Sequence, residues 1–229
     1  MQNLCEKVVL ITGAGRGNGR DLALSLAAQG AIIAANDISP VNVESVALEI
    51  EQRNVGQARV YLHDIAKKVA VQALVNSILA DFGRIDLLIN SANVEPPAYL
   101  LEMDEWDLHR AFEVNAIGSF LTMQSVGRIM REQNGGLMIN LLGSTNITES
   151  ARSAYLASRL ALAGITQYSA VELARHNIQV FGLDCGLGRL ALLEPIFSSA
   201  SQAVLALCGS HQIPSGSILQ VCSAGGGCV

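Results

Sequence analysis

Charge is scarce in this sequence. Only 15% of its 229 residues are Asp, Glu, Lys or Arg, the formal net charge is −5, and no basic block occurs. That balance argues against nucleic acid or anionic membrane as a partner. Metal-site cysteine spacing is missing too. Cys5, Cys185, Cys208, Cys222 and Cys228 are scattered and odd in number. No metal site is expected, and reduced thiols in a cytoplasmic protein are the simplest reading. A membrane span is also lacking. Residues 22–36 are uncharged, but Gln29 and Gly30 interrupt them, and they fall short of the ~20 residues a span needs. Glu6 and Lys7 precede the first apolar run, which leaves no room for a signal peptide. Asp, Glu, Lys and Arg all disappear after Glu194, while Pro195, Pro214 and many Ser and Gly break up that tail. A buried or subunit-facing end is expected there.

Half of the residues are hydrophobic, enough for a large core in one α/β domain. The most informative stretch is Thr12-Gly13-Ala14-Gly15-Arg16-Gly17-Asn18-Gly19. The apolar run 8–11 leads into it, and the helical spacing of Leu22, Ala23, Leu26 and Ala27 leads away. Strand, glycine turn and helix in that order aim backbone N–H groups and a helix N-terminus at one point, where a phosphate binds well. The spacing is T-G-x-x-x-G-x-G, from Thr12, Gly13, Gly17 and Gly19. It is neither G-x-G-x-x-G nor a Walker loop, since Asn18 stands at the last glycine position and no Lys-Ser/Thr follows. Asp37 ends the next apolar run, 31–35, near the ~20-residue offset of an acid that contacts an adenosine ribose. A helix-capping or turn aspartate is the competing reading of that residue.

Strand and helix patterns then alternate to the end. Strands are expected at 58–62, 87–89, 137–142, 178–183 and 218–221. Helices are expected at 41–53, 67–82, from Asp104 to about 133, 153–175 and 201–207. About seven strands in this alternation predict a single doubly wound parallel sheet with helices on both faces, of Rossmann type, over residues 1–229. Ligands of such sheets bind beyond the carboxyl ends of the strands. Those ends carry Gly13, Asp37, Asp64, Asn90, Gly143 and Asp184, a polar constellation that a purely structural domain does not require.

With these pieces in order, the chain resembles the short-chain dehydrogenase/reductase family over essentially its whole length. The matching residues are 12–19, Asp37, Asp64-Ile65, Asn90-x-Ala92, the run from Asn115 to Phe120, and Tyr155-x-x-x-Arg159. The resemblance implies a nicotinamide cofactor. It places Gly13, Arg16, Gly17, Asn18 and Gly19 at the phosphates, Asp37 at the adenosine ribose, Asp64 and Ile65 at the adenine, and Asn90 and Ala92 at the middle of the cofactor. An acid at 37 implies NAD over NADP, because a carboxylate repels a 2′-phosphate. Tyr155 is implied as the acid/base for a secondary alcohol or ketone, with Asn115 in a proton relay, Arg159 as the cation that lowers the tyrosine pKa and Ser144 in place of the family serine; Tyr155 and Arg159 are also implied as cofactor-binding, the cation lying beneath the ribose. A free phenol titrates near ~10, and a nearby cation lowers that value; residue 159 lies one helical turn on. The family also implies a homodimer or homotetramer built on the two long helices.

The sequence departs from the family pattern in one half of the site. Arg159 stands where the family has lysine. The family serine falls on Leu142 or Gly143, depending on the end from which one counts, and Ser144 is the nearest hydroxyl. The strand-four turn ends Asn90-Ser91-Ala92-Asn93, and the turn after strand six reads Cys185-Gly186. The substrate-covering segment, about 187–199, is short. The leading expectation is an NAD(H)-dependent oxidoreductase; the alternative is a dinucleotide-binding or assembly protein of the same fold that has lost turnover. His63, His109, His176 and His211 lie on separate elements and suggest no ligand cluster.

Overall fold

The computed structural model describes residues 4–54, 56–143, 152–185, 193–209 and 213–221, with 193–196 as backbone only. Eight strands form one sheet: β1 (Val8–Thr12), β2 (Ile32–Asp37), β3 (Gln57–Leu62), β4 (Leu87–Asn90), β5 (Gly136–Gly143), β6 (Ile178–Asp184), β7 (Leu193–Phe197) and β8 (Ile218–Val221). Their order is β3-β2-β1-β4-β5-β6-β8-β7, and every pairing is parallel. The helices are α1 (Gly17–Ala27), α2 (Pro40–Arg53), α3 (Lys68–Phe82), α4 (Glu105–Phe112), α5 (Ser119–Glu132), α6 (Ser153–Leu173) and α7 (Ala200–Gly209). The expected doubly wound sheet is present.

The central strands are mostly apolar because both of their faces are covered. All five residues of β1 are buried. The helices contribute stripes: α1 buries Gly19, Leu22, Ala23, Leu26 and Ala27, a helical i, i+3, i+4 pattern. Leu22, Leu26, Val46, Ile50 and Val204 belong to the core on one face of the sheet. Leu74, Ile78, Val126, Met130 and Ala170 belong to the core on the other.

Two features differ from the sequence expectation. The helix from Asp104 begins as read, with the Asp104 carboxylate accepting from the Trp106 N–H at 2.7 Å, but a π-helical turn at Glu113–Gly118 divides it into α4 and α5. The eighth strand, β7, falls inside the expected substrate-covering segment. Pro195 reads as a breaker in sequence, yet β7 is an edge strand, where a missing N–H is tolerated.

The strand order reverses between β1 and β4. The crevice at that reversal, beyond the carboxyl ends of the strands, is where such sheets take their ligands. Among the described residues, no helix is long and apolar enough to cross a membrane.

Candidate active site

A cleft of about 630 Å³ opens at the reversal point. One end is built by the glycine loop. Gly13 has φ +65°, and a Cβ there would lie 2.6 Å from the Ala92 α carbon. A Cβ on Gly19 would lie 2.2 Å from the Gly13 carbonyl oxygen. These two glycines let the loop, β4 and α1 pack together, because real side chains do not fit at such distances. Gly17, at φ +53°, faces open space. With Arg16 and Asn18 it lines the cleft. No side chain caps α1, and its first turn holds no acid. Its leading N–H groups and positive dipole end therefore face the cleft, which suits a phosphate-bearing ligand.

Asp37 ends β2 in the same wall. Its two carboxylate oxygens accept from the backbone N–H groups of Gly15, at 2.9 Å, and Ser39, at 3.0 Å. A carboxylate oxygen has two lone pairs, so each retains capacity for a ligand. Asp64 also lines the cleft. It accepts from the Ala66 N–H at 3.0 Å and pairs with Arg110 at 3.4 Å. Ile65 is buried beside it, against Gly118.

Ala92 lines the middle of the cleft, whereas Asn90 does not. The Asn90 side chain points into the interior, donating to Asn140 Oδ1 at 2.9 Å and accepting from the Thr122 hydroxyl at 2.6 Å. Asn140 in turn donates to the Thr166 hydroxyl at 2.9 Å. This buried network pins the ends of β4 and β5 to α5 and α6. Thr12 adds a clasp, its hydroxyl accepting from the N–H groups of Ser91 and Ala92 at 3.2 and 3.3 Å. Sequence inspection missed Thr122, Asn140 and Thr166, because a polar residue inside an apolar run reveals its partner only in three dimensions.

Asn115 lies in the π turn and is fully buried. Such turns recur at functional sites. Its amide grips the backbone of Val94 in both directions, at 2.9 and 2.8 Å, and donates to the Ser158 hydroxyl at 2.9 Å. Both amide N–H donors are thereby taken, and the side chain holds the cleft wall in place.

At the far end stand Gly143, Leu141 and Arg159. The β5–β6 register slips between Leu141 and Gly143, so β5 carries an extra residue, a bulge of the kind found beside active sites. The Leu142 side chain packs away with Leu162 and Ile218. Gly143 has φ +69°, and a Cβ there would lie 1.8 Å from the Tyr155 hydroxyl. Tyr155 is 3% exposed and is not part of the cleft wall; its hydroxyl fills the space that a side chain at 143 would take. Ser144 lies outside the described residues.

Arg152, Tyr155 and Arg159 share one face of α6 and its N-terminal cap. The guanidinium carbons of Arg152 and Arg159 lie 4.7 and 5.2 Å from the Tyr155 ring centroid, within cation–π range. Arg152 is ion-paired with Glu95, another residue that sequence inspection did not single out. Arg159 is 1% exposed. Its Nη1 donates to the Leu141 carbonyl at 3.3 Å, while Nε has no hydrogen-bond partner. Burial pushes its pKa down; Tyr155, Glu95 and Cys185 oppose that shift. The Tyr155 hydroxyl is near enough to favour the charged form. Burial, with the charge of Asp184, pushes the Cys185 thiol up to about 12, so it stays protonated at neutral pH and is no nucleophile. Among the described residues, no group of His, Cys, Asp and Glu could hold a metal ion.

The short chain dehydrogenase profile matches residues 7–201. The chain belongs to the short chain dehydrogenase family. Its members are oxidoreductases of alcohols and ketones that use a nicotinamide dinucleotide. The chain is 35% identical over 177 residues to D-threitol dehydrogenase of Mycolicibacterium smegmatis, covering 76% of this chain and 67% of that one. It is 34% identical over 185 residues to 5-keto-D-gluconate 5-reductase of Escherichia coli, covering 80% and 72%. Its fold superposes on NAD+-bound xylitol dehydrogenase with a TM-score of 0.84 at 26% identity, covering 98% of this chain and 100% of that one.

The cleft accommodates such a dinucleotide on structural grounds. A Cβ at Gly13 or Gly19 would collide with backbone, Gly17 opens onto free space, and α1 presents an uncapped N-terminus. Set against the family pattern, the departures gather at the opposite end. Arginine stands at 159 where the family has lysine, and a positive-φ glycine, one of the two candidate positions of the family serine, abuts the tyrosine hydroxyl.

Proposed function

We propose that this protein is an NAD(H)-dependent oxidoreductase acting on a secondary alcohol or its ketone. The observation that carries the choice of NAD is Asp37. Its carboxylate sits in the cleft wall with one backbone N–H on each oxygen, leaving lone pairs for the two hydroxyls of an unphosphorylated ribose. A 2′-phosphate would meet this negative charge at close range.

In this reading Gly13, Arg16, Gly17, Asn18 and Gly19 take the phosphates, Asp64 and Ile65 border the adenine, and Ala92 lines the middle. Asn90 supports that middle through its buried network. When bound, the cofactor supplies or accepts the hydride, so ketone, NADH and one proton become alcohol and NAD+. Tyr155 exchanges the proton with the substrate oxygen from behind Gly143. Arg159 supplies positive charge beside it, Ser144 orients the substrate oxygen, and Asn115 keeps the wall and any proton relay in place. The whole chain acts as one NAD-binding unit, with 187–199 as its short substrate cover.

The relatives named for a polyol and for a keto sugar acid support a small polar alcohol or ketone as the substrate class. Ile117, Phe120, Leu160, Tyr168 and Val171 are exposed apolar residues on the π turn, α5 and α6, and they support self-association of these helices. The unbridged Cys185 and Cys208 agree with a cytoplasmic setting.

The test is NADH oxidation against a panel of small ketones for wild type and Tyr155→Phe, with NADH binding measured in parallel. Turnover in wild type and its loss in the variant are expected. Equal rates would remove Tyr155 as the acid. NADH binding with no turnover on any ketone would leave a dinucleotide-binding protein that does not catalyse.

A further inference from the structure

One charged side chain of the cleft wall has no part in the function proposed so far. Glu95, in the segment that follows β4, lines the cleft together with Gly143 and Arg159. Gly143 is the residue whose α carbon abuts the Tyr155 hydroxyl. Contacts also tie Glu95 to that tyrosine. Its Oε1 pairs with Arg152 Nε, and the Arg152 guanidinium carbon lies 4.7 Å from the Tyr155 ring centroid. Its charge is felt by Arg159, one helical turn after Tyr155. A carboxylate therefore borders the end of the cleft where, on the proposed function, the substrate oxygen meets Tyr155.

The segment is held without that carboxylate. The Asn115 amide grips the Val94 backbone in both directions, at 2.9 and 2.8 Å, and Ala98 forms a parallel bridge with the Arg152 backbone. Glu95 lies between these two anchors. Its ion pair adds little to stability, because the Glu95 side chain is 39% exposed and ion pairs open to water contribute little. Its chemistry suits a ligand better. An ionised carboxylate only accepts hydrogen bonds, with about four lone-pair sites on its two oxygens, and Arg152 Nε is one donor against that capacity. A ligand O–H placed beside it makes a charge-assisted hydrogen bond. A methyl group in the same place strips water from the carboxylate and returns nothing.

We infer that Glu95 receives a second hydroxyl of the substrate, carried close to the reacting carbon. The substrate is then a polyol or the matching hydroxyketone rather than a simple alcohol or ketone. This inference rests on the proposed function, which supplies the reaction, and it makes Glu95 a specificity-determining residue.

The test is NADH-dependent reduction of isosteric ketone pairs by wild type, Glu95→Gln and Glu95→Ala. One pair is hydroxyacetone and butanone, which differ only in O–H against methyl; the other has one more methylene before that group. The reading is the ratio of kcat/KM within a pair, compared between wild type and variants. The comparison matters because the hydroxyl also makes a ketone intrinsically easier to reduce. In at least one pair, Glu95→Ala should lower the preference for the hydroxyketone by about tenfold, since hydrogen bonds to a charged group are among the strong ones. Glu95→Gln keeps a neutral acceptor and should fall between. If Glu95→Ala does not fold, Glu95→Gln decides alone by lowering the ratio several-fold. A merely structural role would slow both members of a pair together, so unchanged ratios in both pairs would overturn the inference. Absence of turnover on all four ketones by wild type overturns it as well. The proposed function falls only if the wider panel of small ketones is silent too.

Discussion

The two ends of the cleft are built on different principles. At the end proposed for the adenosine, backbone does most of the work: glycines allow close approach, α1 points its N-terminus inward, and Asp37 is set by two backbone N–H groups. At the end proposed for the nicotinamide, side chains do the work. A β-bulge turns Gly143 toward the cleft, Tyr155 fills the space at its α carbon, and two arginines cover the tyrosine ring. A backbone-built site tolerates sequence drift around fixed glycines. A side-chain-built site changes with each substitution, and the departures from the family lie there.

The largest effect should come from Gly19→Ala. The new Cβ would lie 2.2 Å from the Gly13 carbonyl oxygen, so the loop must open. Calorimetry should find NADH binding lost by about a hundredfold or more, the order expected when a positioned backbone donor set is displaced. Retained affinity would show that the loop does not hold the phosphates as described.

Gly143→Ser should be next, because it puts a hydroxyl at one of the two candidate positions of the family serine at the cost of strain. The positive φ and the 1.8 Å approach to the Tyr155 hydroxyl predict destabilisation of at least about 1–3 kcal/mol, read as a lower melting temperature. Tyr155→Phe removes the colliding oxygen and should recover part of that loss in the double variant. Additive losses would place the strain elsewhere.

A smaller effect is expected from Asp37→Ala. Losing the ribose contacts should weaken NADH by about 1.5–3 kcal/mol while NADPH gains or holds, so the gap between the two narrows. Equal affinity for both in the wild type would remove Asp37 as the selector.

How much of this was legible in the sequence follows the same division. The strand–glycine–helix pattern, Asp37 and the alternation that sets the sheet are local signals, and the structure carries them in the expected places. The eighth strand was hidden by Pro195, which only an edge position makes acceptable. The Asn90–Asn140–Thr122 network joins residues up to 50 positions apart and has no sequence period to reveal it. The uncertainty over whether Leu142 or Gly143 holds the family serine position has a physical source. The bulge adds a residue to β5 between them, so counting from opposite ends gives different answers. Arg152 was within reach, since it stands three residues before Tyr155, but its Glu95 partner lies far away in sequence, in the segment that follows β4.

The most direct measurement compares ADP-ribose with NADH by calorimetry on the full chain. ADP-ribose presents the adenosine, both phosphates and the second ribose, and lacks the nicotinamide. If the backbone-built end carries the binding, the two affinities should agree within about tenfold, or about 1.4 kcal/mol. NADH binding a hundredfold or more tighter than ADP-ribose would contradict this, placing most of the affinity at the nicotinamide end.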